Sequence, residues 1–201
     1  MDHTRRTFLA AASVTAASAA LPWLPTTRAD QPAKKRHIVT LSFDDGFKKS
    51  FIKIAEIYEK YKLSACLNVI ATGHRQDFQP PGQYIAGSPR GDFVLWNELK
   101  QRGHEVMPHT YRHANLQKMP FAEATDLIRR CLDVFAEHLK DFDPKKAVYN
   151  FAYNASTPKL EKWLADRVRA FRTGGQAINP WPYPKQVKLT CTSFGPGNCE
   201  K

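Results

Sequence analysis

The chain has 201 residues, 42% of them apolar, and a formal net charge of +11. That length holds one domain with a sizeable core, and four cysteines without a Cys-x-x-Cys pair exclude a disulfide-built scaffold. The basic balance favours contact with anionic polymers, yet the basic residues are scattered after Lys34-Lys35-Arg36 with no aromatic interleaving, which argues against a nucleic-acid binder.

The segment Thr4-Arg5-Arg6-Thr7-Phe8-Leu9 precedes an uncharged, Ala-rich run that reaches Leu21. An arginine pair ahead of such a run reads as a twin-arginine export signal, and the run is too short and too Ala-rich for a membrane span. Cleavage is expected before Asp30, so residues 1–29 are read as signal, 30–37 as linker and 38–201 as the functional domain. Removal of the signal takes away Arg5, Arg6, Arg28 and Asp2 and leaves +9. The expected location is periplasmic or secreted, with no stable membrane span after cleavage. Export of an already folded chain also suits a protein that acquires a metal in the cytoplasm.

Ile38 to Phe43 is short, apolar and β-branched, and Asp44-Asp45-Gly46 stops it, which predicts a first strand ending in a turn. Helical spacing of Phe51, Ile54, Ala55, Ile57, Tyr58 and Tyr61 predicts a helix over 50–61, followed by a buried strand over 65–70. Residues 71–92 are rich in Gly, Pro and polar residues and read as a long loop able to line a substrate groove. A short helix over 95–102 then leads through Gly103 into a strand at 104–107, which delivers Pro108 and His109. The clearest helix spans 121–139 behind Pro120, with Phe121, Ala124, Ile128, Cys131, Leu132, Phe135 and Leu139 on one face. A strand at 147–151, a helix over 158–167, a strand at 170–173 and a weaker one near 187–194 continue the alternation. Such alternation predicts an α/β fold with mostly parallel strands, barrel or open sheet. Cys66 and Cys131 are expected to be buried, and Cys191 could bridge to Cys199.

Two adjacent acids at a strand end can divide their roles, one ligating a cation and the other acting as a base, although Asp-Asp-Gly also suits a plain turn. His109 and His113 have the spacing at which one helical turn puts both imidazoles on one face, as metal ligands require, although two unrelated loop histidines would share it. Asp45 could add the carboxylate. Two imidazoles and a carboxylate leave a coordination position open on Zn²⁺, which suits catalysis; Asp44 would take a proton from the attacking water. His37, His74 and Trp163 read as surface or core.

Leu41-Ser42-Phe43-Asp44-Asp45-Gly46, then Gly103-His104-Glu105 ahead of His109-Thr110-Tyr111-Arg112-His113, resembles the first two motifs of the polysaccharide deacetylase family in order and separation. The resemblance runs from about Ile38 to Thr173. It implies a distorted, incomplete (β/α) barrel, zinc or another divalent transition metal held by Asp45, His109 and His113, Asp44 as catalytic base, and an N-acetylated glycan as substrate. His104, Glu105 and Trp96 match family positions but read as a cap and packing residues. The third motif departs from the family: Tyr149 to Ser156 has neither its Arg nor its Pro, with Ala152 where the Arg would stand. Something else must then orient Asp44, while a backbone N–H near Ala155, or Asn154, could serve the oxyanion. The last motif's histidine, a general acid, has no counterpart after His138. The chain ends sooner after its second motif than the family does, as an incomplete sequence or a divergent member would. Hydrolysis of another linear amide or of an O-acetyl ester, and a catalytically weak glycan-binding protein, are the alternative readings.

Overall fold

Strands and helices alternate in the computed structural model, which describes residues 39–79, 89–176, 178–180 and 187–192. The expected signal and linker fall outside these residues. So does Cys199, and with it the bridge considered for Cys191. In chain order the elements are β1 (Ser42–Phe43), α1 (Lys48–Lys60), β2 (Cys66–Val69), α2 (Phe93–Gln101), β3 (Glu105–Pro108), α3 (Phe121–His138), β4 (Val148–Asn150), α4 (Pro158–Ala165), β5 (Ala170–Gly174) and β6 (Lys188–Cys191). None of the helices among the described residues is long and apolar enough to cross a membrane.

Every strand pairs in parallel, in two three-stranded sheets ordered β1-β2-β3 and β4-β5-β6. Parallel neighbours need crossover connections, and α1, α2 and α4 supply them for β1–β2, β2–β3 and β4–β5. Between the sheets, β3 lies alongside β4 without a backbone ladder. Side chains bridge that seam instead: Asn150 Nδ2 donates to the Pro108 carbonyl at 3.3 Å, and the Val148 N–H reaches Met107 Sδ at 3.4 Å. The architecture is thus α/β with parallel strands whose sheets do not close into one ring among the described residues.

Two of the helices, α2 and α4, begin at a side-chain cap. Asp92 accepts the Leu95 N–H at 3.0 Å at the start of α2, and Thr157 accepts the Leu160 N–H at 3.3 Å ahead of Pro158 in α4. The first strand is shorter than its sequence suggests. Val39 and Leu41 are exposed, and pairing begins only at Ser42 against Cys66. The reason lies in the neighbour: Lys62 takes a positive φ, the chain turns away through Leu63 and Ser64, and β2 offers no backbone ladder before Cys66. A β-branched run without a partner ladder has nothing to make it a strand.

His104 has a structural role. Its Nδ1 accepts the Ala65 N–H at 3.1 Å, so Nε2 carries the proton and faces Glu59 Oε1 at 3.2 Å. Arg102 grips the same carboxylate at 2.8 and 3.0 Å. Cys131 is fully buried as expected, whereas Cys66 is partly exposed.

The core is aromatic at its centre. Phe135 of α3 is fully buried and meets Phe93 edge-on at 5.4 Å between centroids and Phe142 at 5.3 Å. Phe135→Ala should therefore cost about 3–5 kcal/mol through lost burial and an unfilled cavity. Urea unfolding followed by tryptophan fluorescence would measure it; a loss under 1 kcal/mol would contradict this packing.

Candidate active site

Four loops converge at the carboxyl ends of the parallel strands, where α/β folds place their sites. The first follows β1 and holds Asp44, Asp45 and Gly46. Asp45 and Gly46 both adopt left-handed backbone, with φ of 77° and 72°. Gly46 also needs its missing side chain: a Cβ there would stand 3.2 Å from Trp96 and 3.4 Å from Val69. This tight turn sends the two carboxylates in different directions.

His109 follows β3 directly, its N–H held by the Val69 carbonyl at 2.9 Å. His113 reaches the same place by a route that differs from the helical turn expected for this pair. Residues 110–113 form a non-helical turn in which Thr110 and His113 have φ of 65° and 56°. Thr110 Oγ1 accepts the His113 N–H at 3.0 Å, and the Thr110 and Tyr111 carbonyls accept N–H groups of Ala71 and Thr72, both at 3.1 Å. The turn is therefore laced to the loop after β2, which gives its strained backbone no alternative. The imidazole centroids end 5.3 Å apart.

Asp45, His109 and His113 meet as a cluster whose ligating atoms all lie within 4.8 Å of one another. Asp45 Oδ1 is 3.3 Å from His109 Nε2 and 3.1 Å from His113 Nε2. His109 Nδ1 faces the Asn150 carbonyl at 3.1 Å. That carbonyl can only accept, so Nδ1 bears the proton, and Nε2 of the neutral ring aims a lone pair at a carboxylate oxygen. The two repel unless a proton or a cation lies between them. Asp45 Oδ1 is itself buried without a hydrogen bond of good geometry. One carboxylate oxygen and two imidazole nitrogens, one fixed in tautomer by a backbone carbonyl, are a donor set that fits zinc or a similar divalent transition metal. Burial pushes the Asp45 carboxyl upward, but with a proton on the facing imidazoles His109 and His113 outweigh it and hold it far below the usual carboxylate range.

Asp44 stands beside this cluster, its Oδ2 3.8 Å from His109 Nε2. Arg172 of β5 binds it with both arms, Nη1 to Oδ1 at 3.0 Å and Nη2 to Oδ2 at 2.6 Å. Asn68 Nδ2 donates to Oδ1 at 2.8 Å, and Arg172 Nη1 also reaches Ser42 Oγ at 2.6 Å. Burial raises the Asp44 carboxyl, but His109, Arg172 and Asn68 prevail and keep it below its ordinary 3.8.

The fourth loop, after β4, differs from expectation. The Ala155 N–H is bonded to the Ala152 carbonyl at 3.1 Å, so it is not directed at an oxyanion. Asn154 Oδ1 accepts from Cys191 Sγ at 3.3 Å, which turns that amide towards β6. Tyr153 and Asn154 both have positive φ, and this backbone lays the half-exposed Tyr153 ring 4.7 Å from that of His113.

Residues 31–165 match the family model described as polysaccharide deacetylase. The chain belongs to the polysaccharide deacetylase family. Among solved structures it is similar to Streptococcus pyogenes deacetylase PplD in complex with acetate, with a TM-score of 0.62 and 19% identity, over 80% of this chain and 65% of that one. It is also similar to IcaB from Ammonifex degensii (TM-score 0.60, 19% identity, 79% of this chain and 68% of that one). A de-N-acetylase from Aggregatibacter actinomycetemcomitans gives 0.59 and 15%, over 81% and 73%. At these identities the likeness is one of fold, the distorted (β/α) barrel of the deacetylases, and the chain spans just under two-thirds of the length of PplD. No curated protein matches the chain.

Arg172 lies beyond the matched region of the deacetylase family. It supplies what the loop after β4 lacks, a guanidinium on Asp44. Arg172 belongs to none of the sequence motifs, and its one signal is its place inside Ala170-Phe171-Arg172-Thr173, a strand otherwise free of charge. A charge in a buried parallel strand needs a partner.

Arg172→Gln should destabilise the chain by about 1–3 kcal/mol at neutral pH. That is less than the 3–5 typical of a fully buried pair, because the Asp44 side chain is 33% exposed. Asp44 is depressed below 3.8 in the folded chain, so the pairing contributes fully above that value and is lost as pH falls through the lower folded one. Urea unfolding of both proteins across pH should show the deficit shrinking only in that acidic range. A deficit independent of pH would refute the pairing.

Proposed function

We propose that this chain is a metal-dependent hydrolase that removes N-acetyl groups from a polysaccharide, with Asp45, His109 and His113 as metal ligands and Asp44 as base. The observation that carries the reading is the juxtaposition of the Asp45–His109–His113 cluster with a second carboxylate held ionised by Arg172. Family membership supports the reaction class, and the donor set supports zinc. A zinc ion bound there would polarise the acetyl carbonyl and make water more acidic.

The chain's own residues supply the rest. Arg172 and Asn68 fix both oxygens of Asp44, so the carboxylate meets water in one orientation. Asp44 takes the proton as the water oxygen adds to the acetyl carbon. When the C–N bond breaks, acetate leaves with the former carbonyl carbon, and the amine nitrogen needs a proton. Asp44 can return the one it took, which balances the step. Among the described residues His74 and His138 pack against Phe93 and have no part in this chemistry. The twin-arginine segment at 4–9 supports a substrate outside the cytoplasm, in or near the cell envelope.

A glycan-binding protein without turnover drew its support from the missing arginine and the missing acid. Arg172 removes half of that support.

Acetate release from N-acetylglucosamine oligomers by the zinc-loaded chain, with and without a chelator, tests the reading. Chelator-sensitive release is expected. Asp44→Asn should lower kcat by about 10²–10⁴-fold with metal content unchanged, whereas His109→Ala should lose both metal and activity. Release that survives chelation, or full activity in Asp44→Asn, would overturn it; release only from O-acetylated glycans would move the substrate to an ester. Replacing Arg5 and Arg6 by Lys should leave the chain in the cytoplasm, as cell fractionation would reveal.

A further inference from the structure

Arg90 has no place in the chemistry above, yet its surroundings are built. The segment 89–91 is strapped to the loop after β1: the Lys48 N–H donates to the Pro89 carbonyl at 3.0 Å, the Gly91 N–H donates to the Gly46 carbonyl at 3.1 Å, and Phe47 and Arg90 form an antiparallel bridge. The Arg90 side chain is partly buried, its guanidinium carbon 4.7 Å from the centre of the Phe47 ring and 4.9 Å from that of Phe78. Gly73 makes room for its stem, since a Cβ there would come within 2.9 Å of Arg90 Cδ.

Two aromatic faces stabilise a cation but give its N–H groups nothing to donate to. Arg90 Nε is buried without a hydrogen-bond partner, and among the described residues no carboxylate lies within ion-pair distance of the side chain. Arg172, which is buried, has a carboxylate partner in Asp44. The strap to Gly46 and Phe47 sets Arg90 beside the loop that holds Asp44 and Asp45. Burial pulls its guanidinium down from its usual range, and the charge of Asp45 opposes that. It remains a cation, because guanidinium keeps its proton in proteins.

We infer that Arg90 is an anion subsite beside the candidate centre, recognising a carboxylate or phosphate group carried by the glycan near its acetylated sugar. This rests on the glycan-deacetylase reading. A planar fork of N–H donors, pre-positioned between two rings and partly freed of water, suits two oxygens of one such group. The chain's net charge of +11 favours association with an anionic polymer. Arg90 is thus a specificity-determining residue: it touches the substrate away from the reacting acetyl group and belongs in binding and KM, not in kcat.

Binding is measured in the zinc-loaded full chain carrying Asp44→Asn, so that turnover plays no part. The probes are a neutral N-acetylglucosamine tetramer, a hyaluronan tetrasaccharide that alternates N-acetylglucosamine with glucuronate, and a 6-phosphorylated tetramer. At least one anionic probe should bind roughly tenfold or more tighter than the neutral one, and which of them does so tells carboxylate from phosphate. Arg90→Gln should abolish that preference with neutral binding unchanged, and Arg90→Lys, which keeps the charge over the rings, should retain part of it. Equal binding of all three probes to the parent chain would overturn the subsite, as would an equal loss on neutral and anionic probes in Arg90→Gln, the mark of a purely structural clamp. Should Arg90→Gln not fold, the decision passes to Arg90→Lys: a loss confined to the anionic probe supports the subsite, and an unchanged preference overturns it. Acetate release is scored separately in the chain with Asp44 intact. An anionic preference that depends on Arg90, without acetate release from any probe, would sustain the subsite and sink the deacetylase reading.

Discussion

The two-armed contact between Arg172 and Asp44 is the constraint on which the site depends. It joins β5 of one sheet to the end of β1 in the other, and a third contact reaches Ser42. A carboxylate taken out of water costs several kcal/mol unless its charge is met, and a buried guanidinium costs as much. Each meets the other's requirement. The same contact fixes the direction of the Asp44 carboxylate and lowers its pKa, so fold and chemistry share one interaction.

Around it the backbone is held in unusual conformations. Asp45, Thr110, His113, Tyr153 and Asn154 have positive φ, whereas only Lys62 and Asp141 do among the other described non-glycine residues. A β-branched residue such as Thr110 is especially costly there. The strain persists because hydrogen bonds from the loop after β2 and from Thr110 Oγ1 over-determine the turn. It yields convergence: His109 and His113 leave the backbone in different directions and still meet Asp45. A regular helical turn would have set the rings side by side without requiring the carboxylate between them.

Short-range patterns were legible in the sequence where burial is decided locally. The apolar spacing from Phe121 to Leu139 marked α3 within a residue, because a helix that covers a sheet must show one apolar face. Asp44-Asp45 suits a plain turn and the two histidines suit a loop when each pair is taken alone; together, in the order and separation of the family's first two motifs, they were legible as a candidate site. The first strand was overread, since Val39 and Leu41 are β-compatible but have no ladder to join. The oxyanion donor sought near Ala155 was also misplaced, because whether a backbone N–H is free depends on the turn type, which the residues 152–155 alone did not reveal.

What the sequence determined by itself is the alternation of elements, the choice of candidate site residues and the resemblance that names the family, all of which depend on residue type and spacing. What only the tertiary structure decided is which groups meet. Arg172 is 128 residues from Asp44, and Asn150, whose carbonyl sets the His109 tautomer, is 41 from that histidine. Such partners are chosen by parallel strand order and register, which bring distant positions to one end of the sheets. No local pattern encodes that choice, because its energy lies in pairing charges and hydrogen bonds across the fold.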